Sequence, residues 1–169
     1  MKEVNYKEDL NKILDRIGGD GAFLTVKDKD GNLNTMTISW GNIGFIWRKP
    51  IFTVPVRYSR HTYKLIENSD NFTVSFPTKG QLAKELAYCG SKSARDVDKF
   101  KELNLKTSEG KRVDSPIISD CDLHLECKII YKQPMDMTGA GEHVKDVYGG
   151  ENDLHVLYYG EIVSCLEND

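Results

Sequence analysis

The chain has 169 residues, 39% hydrophobic and 29% charged, with a formal net charge of -3. That suits one compact domain spanning 1–169 and is too short for two ordinary ones, and the balance excludes a disordered or fibrous protein. The charged N-terminal segment MKEVNYKEDLNKILDR cannot serve as a secretory signal and no run approaches a membrane span. Cys89, Cys121, Cys127 and Cys165 form no C-x-x-C pair, so a reducing cytoplasm is the expected setting.

Tyr6, Leu10, Ile13, Leu14 and Ile17 fall at helical spacing, and Gly18-Gly19 stop the pattern. From Ala22 to Trp47 the period shortens to two: AFLTV, a turn at Asp28-Lys29-Asp30-Gly31-Asn32, then LNTMTISW and IGFIW. This reads as an antiparallel meander. Pro50 and Pro55 bracket IFTV, and the sheet is expected to be interrupted there. Ser59 is placed to cap a helix reaching Asn68, before NFTVSF resumes the strand pattern. Helical stretches follow at about 80–88 and 94–103. From Asp120 to Lys132, Cys121, Leu123, Leu125, Cys127, Ile129 and Tyr131 share one face and Asp122, His124, Glu126 and Lys128 the other, which predicts one core side and one wet side. The stretch Met135 to Asp153 has no clear period, and Leu154 to Cys165 supplies a last strand. Six or so strands joined mostly by short turns predict a mainly β fold with flanking helices, a closed or split antiparallel barrel.

No acidic residue occurs from Gly31 to Ile66, where Arg48, Lys49, Arg57, Arg60 and Lys64 lie; at 26 acids in 169 residues the stretch should hold about five or six. A segment of that size suits a phosphate-bearing small molecule better than a nucleic acid, the alternative being an ordinary basic surface. Arg57, Ser59, Arg60 and Thr62 sit where a strand meets a helix and offer guanidinium forks and hydroxyls to an anion. Solvated arginines beside a helix cap would leave the same pattern. Thr35, Thr37 and Ser39 line up on one face of a strand whose other face carries Trp40, a set able to hold the polar edge of a heterocycle against a flat wall; a half-exposed strand looks the same. Cys89 to Phe100 brings Cys89, Gly90, Ser91, Lys92, Arg95 and Lys99, which can close over a ligand or lie in solvent. Cys121-x-x-His124-x-x-Cys127 mimics a metal motif, but on a strand His124 points away from both cysteines, so no metal site is expected.

NTMTISW at 34–40, W-x-K-P at 47–50, VRYSRHT at 56–62, NFTVSFP at 71–77, SARDVDKF at 93–100 and YYGEIVSC at 158–165 together resemble the flavin reductase-like FMN-binding split-barrel family, which includes flavoredoxin. The resemblance implies a homodimer of Greek-key split barrels with one FMN per subunit. Asn34, Thr37, Ser39 and Trp40 would lie along the flavin ring. Arg57, Ser59, Arg60 and Thr62 would take the phosphate side, and Lys99 with Cys89, Gly90 and Ser91 would close the site. It further implies an oxidoreductase supplied by NAD(P)H or by a protein electron donor, with no side chain acting as acid or base. An NAD(P)H-dependent flavin or ferric reductase is the preferred expectation; an electron carrier and a barrel that binds without turnover are the alternatives.

Overall fold

The computed structural model describes residues 1–150 and 153–168. In chain order they form β1 (Lys2–Glu3), α1 (Leu10–Gly18), β2 (Ala22–Lys27), β3 (Leu33–Ile38), β4 (Asn42–Ile46), β5 (Lys49–Arg57), α2 (His61–Glu67) and β6 (Asn71–Phe76). There follow α3 (Ala83–Ser91), α4 (Lys99–Glu102), β7 (Thr107–Ser108), β8 (Ile117–Ile118), β9 (Leu123–Pro134), α5 (Glu142–Tyr148) and β10 (His155–Glu167). Among these residues one 8-stranded antiparallel sheet runs in the order β3-β2-β6-β9-β10-β5-β4, with β1 beside the end of β10. β3 and β4 stand at opposite ends of that order although only Ser39–Gly41 separates them, so the barrel is split at a seam between them. The expected meander therefore breaks after β3.

The β2–β3 turn forms as its sequence predicts: Gly31 has φ +84° and the Asp28 carboxylate accepts from the amides of Asp30 and Asn32. The β4–β5 hairpin instead turns on Trp47 and Arg48, both with positive φ (52° and 60°), a conformation glycine or asparagine adopts at lower cost. β5 is not interrupted at its prolines. The register pairs Ile46 with Lys49 and ends at Asn42 opposite Thr53, which turns the nitrogen of Pro55 to a side where β4 has already stopped; Pro50 lies beyond Ile51, where the pairing with β10 ends. Neither proline removes a ladder bond.

Inside the barrel Leu24, Val26, Phe52, Phe72, Phe76, Leu125 and Tyr158 form the main core, with Ile13 and Ile17 of α1 closing one end. The predicted wet face of β9 is also covered, since His124 and Glu126 have no exposed surface. Residues 105–121 fold across that side of the sheet, where Phe23, Leu86, Cys89, Leu105, Ile118 and Cys121 make a second core. The Glu126 carboxylate accepts from the amides of Lys111 and Arg112 in the cover, and His124 Nδ1 meets Ser75 Oγ of the neighbouring β6 at 3.0 Å. Alternation identifies the strand; it cannot show that a distant loop returns to bury the second face. α5 likewise lies in the stretch that showed no period, because a helix of 7 residues is too short to display one.

Candidate functional site

The seam opens into two adjoining clefts. The larger, about 290 Å³, is lined by Met36, Thr37, Ile38, Ser39 and Trp40 from β3 and its exit, Pro55 and Arg57 from β5, Arg60, and His155 at the start of β10. The smaller, about 150 Å³, shares Met36 and Arg60 and adds Asn34, Ser59, His61, Thr62 and the run Ser91–Arg95 with Lys99. Residues from both faces of β3 meet the larger cleft because it lies off the edge of the strand rather than on one face. Among the described residues no aspartate or glutamate lines either space, whereas Arg57, Arg60, Lys92, Arg95 and Lys99 do.

Lys99 is 3% exposed, and its ammonium donates to the carbonyls of Thr35 and Cys89, both at 2.9 Å. Burial pulls its pKa below the ordinary lysine value, and Arg60 adds to the effect. Asp98 accepts from the amides of Phe100 and Lys101 and so caps the helix that carries Lys99. Arg60 donates to the Gly90 carbonyl at 2.7 Å, and Arg95 to the Ser59 carbonyl at 3.0 Å. Asn34 donates to Thr62 Oγ1 at 2.8 Å, and both side chains are buried. Thr37 Oγ1 donates to the Leu86 carbonyl, tying β3 to α3.

Ser59 does not cap α2. Its amide and hydroxyl donate to the two oxygens of Asp153, at 3.0 and 2.6 Å, and Arg60 occupies the cap position. The carboxylate takes Ser59 as a donor, whereas the first turn of the helix offers only amide donors and cannot accept from it. Cys89 lines neither cleft: it is fully buried beside Leu86 and Phe23, and burial pushes its thiol up to about 11, which keeps it out of thiolate chemistry at neutral pH. Gly90 acts through its carbonyl on Arg60, and Ser91 Oγ donates to the carbonyls of Ala87 and Tyr88 at the end of α3. Among the described residues no group of three or more potential metal ligands occurs.

Sequence reasoning missed His155, Tyr148 and Asp153. The Trp40 ring lies 5.2 Å from His155 and 6.3 Å from Tyr148, edge-on to the latter, and the Arg57 guanidinium stands 5.4 Å over the Tyr148 ring. All three residues come from 148–155, which nothing local in the sequence ties to β3. Register supplies the link, for His155 pairs with Arg57 across β10 and β5.

Residues 14–169 match the flavin reductase like domain. An uncharacterized protein of Archaeoglobus fulgidus is 29% identical over 136 residues, covering 80% of this chain; the chain spans 66% of that relative's length. The flavoredoxin of Desulfovibrio vulgaris (Miyazaki F) superposes with TM-score 0.69 at 23% identity, over 88% of this chain and 69% of that one. Flavoredoxin from Methanosarcina acetivorans gives 0.68 at 25% identity, over 88% and 68%. An FMN-binding protein from Thermus thermophilus, solved with p-hydroxybenzaldehyde, gives 0.67 at 21%, over 88% and 71%. With both clefts falling inside the matched residues, this split-barrel chain belongs to the flavin reductase like domain family.

Proposed function

We propose that the chain binds FMN across the two clefts and works as an NAD(P)H-dependent oxidoreductase delivering electrons to a flavin or ferric acceptor. One observation carries the cofactor reading: a site bordered by Trp40 changes, through Arg60, into a pocket lined by Lys92, Arg95 and Lys99 with no acid among the described residues that line it. Among the described residues the Lys99 ammonium meets only carbonyls, so a phosphate would find an uncompensated buried cation. The donor set therefore fits a planar heterocycle carrying a phosphate.

Arg60 and Arg95 supply guanidinium N–H groups, Thr62 a hydroxyl and Lys99 an ammonium on the phosphate side. Asn34, Thr37, Ser39 and Trp40 border the ring side, and Cys89, Gly90 and Ser91 hold the supporting wall. Arg57 and Ser59 are engaged by Asp153, so their part in phosphate binding requires that contact to rearrange. Bound there, the flavin supplies the redox chemistry, accepting hydride or single electrons and passing them on. The residues bind, orient and exclude water; none is assigned as acid or base.

The working unit in this reading is a homodimer. The β4–β5 hairpin leaves Phe45, Ile46 and Trp47 exposed, and Trp47 packs edge-on to Tyr131 and Tyr159 on a surface that also exposes Ile130. The adjoining IFTVPV run adds little to that surface, because Phe52, Val54 and Val56 are buried inside the barrel and Ile51 on the other face is also covered. The four free, buried cysteines suit the reducing cytoplasm in which we place the protein.

Titration with FMN, followed by stopped-flow absorbance after anaerobic mixing with NADH or NADPH, tests the reading. Expected are saturable binding and bleaching within seconds, then turnover with free FMN or a ferric chelate. Absence of FMN binding would remove the cofactor. Binding without bleaching over many minutes would move the assignment to an electron carrier fed by a protein donor.

A further inference from the structure

We propose that His155, fixed in one tautomer by Tyr148, is an N–H donor built into the wall of the larger cleft, and that it receives a carbonyl oxygen carried on a planar ring. The proposal rests on the reading of that cleft as the flavin site. The ring is either the flavin itself or an aromatic electron acceptor lying against it.

Tyr148 Oη lies 2.5 Å from His155 Nδ1 and 3.0 Å from the Met135 sulfur. A phenol has one proton to give, and an imidazole nitrogen is a far better acceptor than a thioether, so the proton is directed to Nδ1. A ring that accepts at Nδ1 carries its own hydrogen at Nε2. Among the described residues no hydrogen bond engages Nε2, and it is not among the buried unpartnered atoms. His155 borders the cleft directly.

The surroundings hold this arrangement. Tyr148 is the last residue of α5, Gly149 turns the chain with φ +56°, and the Tyr148 ring is fixed between Trp40 and the Arg57 guanidinium. Burial keeps the imidazole uncharged, pushing it down to about 4; Arg57 and Arg60 act in the same direction and Asp153 opposes them. At neutral pH His155 therefore adds an uncharged donor beside the indole of Trp40, in a cleft that Arg57 and Arg60 also line. That combination recognises a flat ring with an oxygen at its edge.

Long-range 1H–15N correlation of the imidazoles in 15N-labelled protein reads the tautomer. Nδ1 should appear bare and Nε2 protonated from about pH 6 to 8. Tyr148→Phe, which keeps the ring against Trp40 and Arg57, should yield a mixture of tautomers. FMN and benzaldehyde are then titrated separately, and benzaldehyde is added with and without FMN. A downfield shift of the Nε2 proton with FMN alone assigns the donor to the cofactor ring, and a shift only with benzaldehyde assigns it to the acceptor; either result supports the proposal. The ligand that moves the resonance should bind about five- to tenfold more weakly to Tyr148→Phe and to His155→Leu, with His155→Gln restoring most of the loss. Should FMN fail to bind, the flavin reading falls while the benzaldehyde arm on flavin-free protein still judges the donor. An Nδ1-protonated ring, or an Nε2 signal that neither ligand moves, overturns the proposal.

Discussion

Arg60 is the charged side chain common to both clefts, and its guanidinium is already positioned by the Gly90 carbonyl. If it contacts a phosphate, Arg60→Ala should weaken FMN binding about ten- to a hundredfold, the loss of one charge-assisted hydrogen bond, and leave riboflavin nearly unchanged. Isothermal titration of both ligands checks this, and equal losses would place Arg60 away from the phosphate. The grouping was legible: an acid-free segment with arginines and hydroxyls at a strand–helix junction brings Arg57, Ser59, Arg60 and Thr62 to the clefts. Asp153 was not legible. Its engagement of Ser59 and Arg57 depends on how β10 is entered, and no spacing around Ser59 reports that.

The β4–β5 hairpin places two bulky residues, Trp47 and Arg48, in left-handed conformations that cost roughly 1–2 kcal/mol each. Retaining them at a turn that Asn-Gly would satisfy implies that the Trp47 ring is needed outside the hairpin. Replacing Trp47-Arg48 by Asn-Gly should therefore raise, or at least preserve, the stability of the isolated chain in urea. If the proposed homodimer forms through this hairpin, the same replacement should shift sedimentation from dimer to monomer at micromolar concentration; a variant that remains dimeric would locate the interface elsewhere. At this scale the strands were readable because their alternation is local. The pairing was less so: β3 and β4 look like consecutive members of a meander, yet β4 pairs only with β5, and nothing in the two segments indicates which neighbour each will choose.

Across the molecule, acid should act through buried imidazoles. His124 sits beneath the 105–121 cover with its pKa pushed down to about 4 by burial, against about 6.5 in the unfolded chain. The unfolded state thus binds the extra proton between those values. Stability should be complete above about pH 6.5 and fall as pH drops toward 4, by on the order of 3 kcal/mol from His124, with His155 adding in the same direction. Urea midpoints across that range should decline, and His124→Asn should flatten the slope; an unchanged slope would point to another group. The barrel class follows from strand count and turn chemistry, whereas the cover that makes His124 a buried group is a long-range event. The seam has a consequence of a different kind. The β2–β3 register turns the main-chain groups of Thr35 and Thr37 away from β2, and Lys99 already uses one of those carbonyls while Thr37 borders the larger cleft. A ligand reaching this edge meets peptide groups as well as side chains, and a peptide group persists through any substitution that keeps the strand. Binding capacity can then outlast sequence identity, while each side chain around the rim is left free to diverge toward a new electron donor or acceptor.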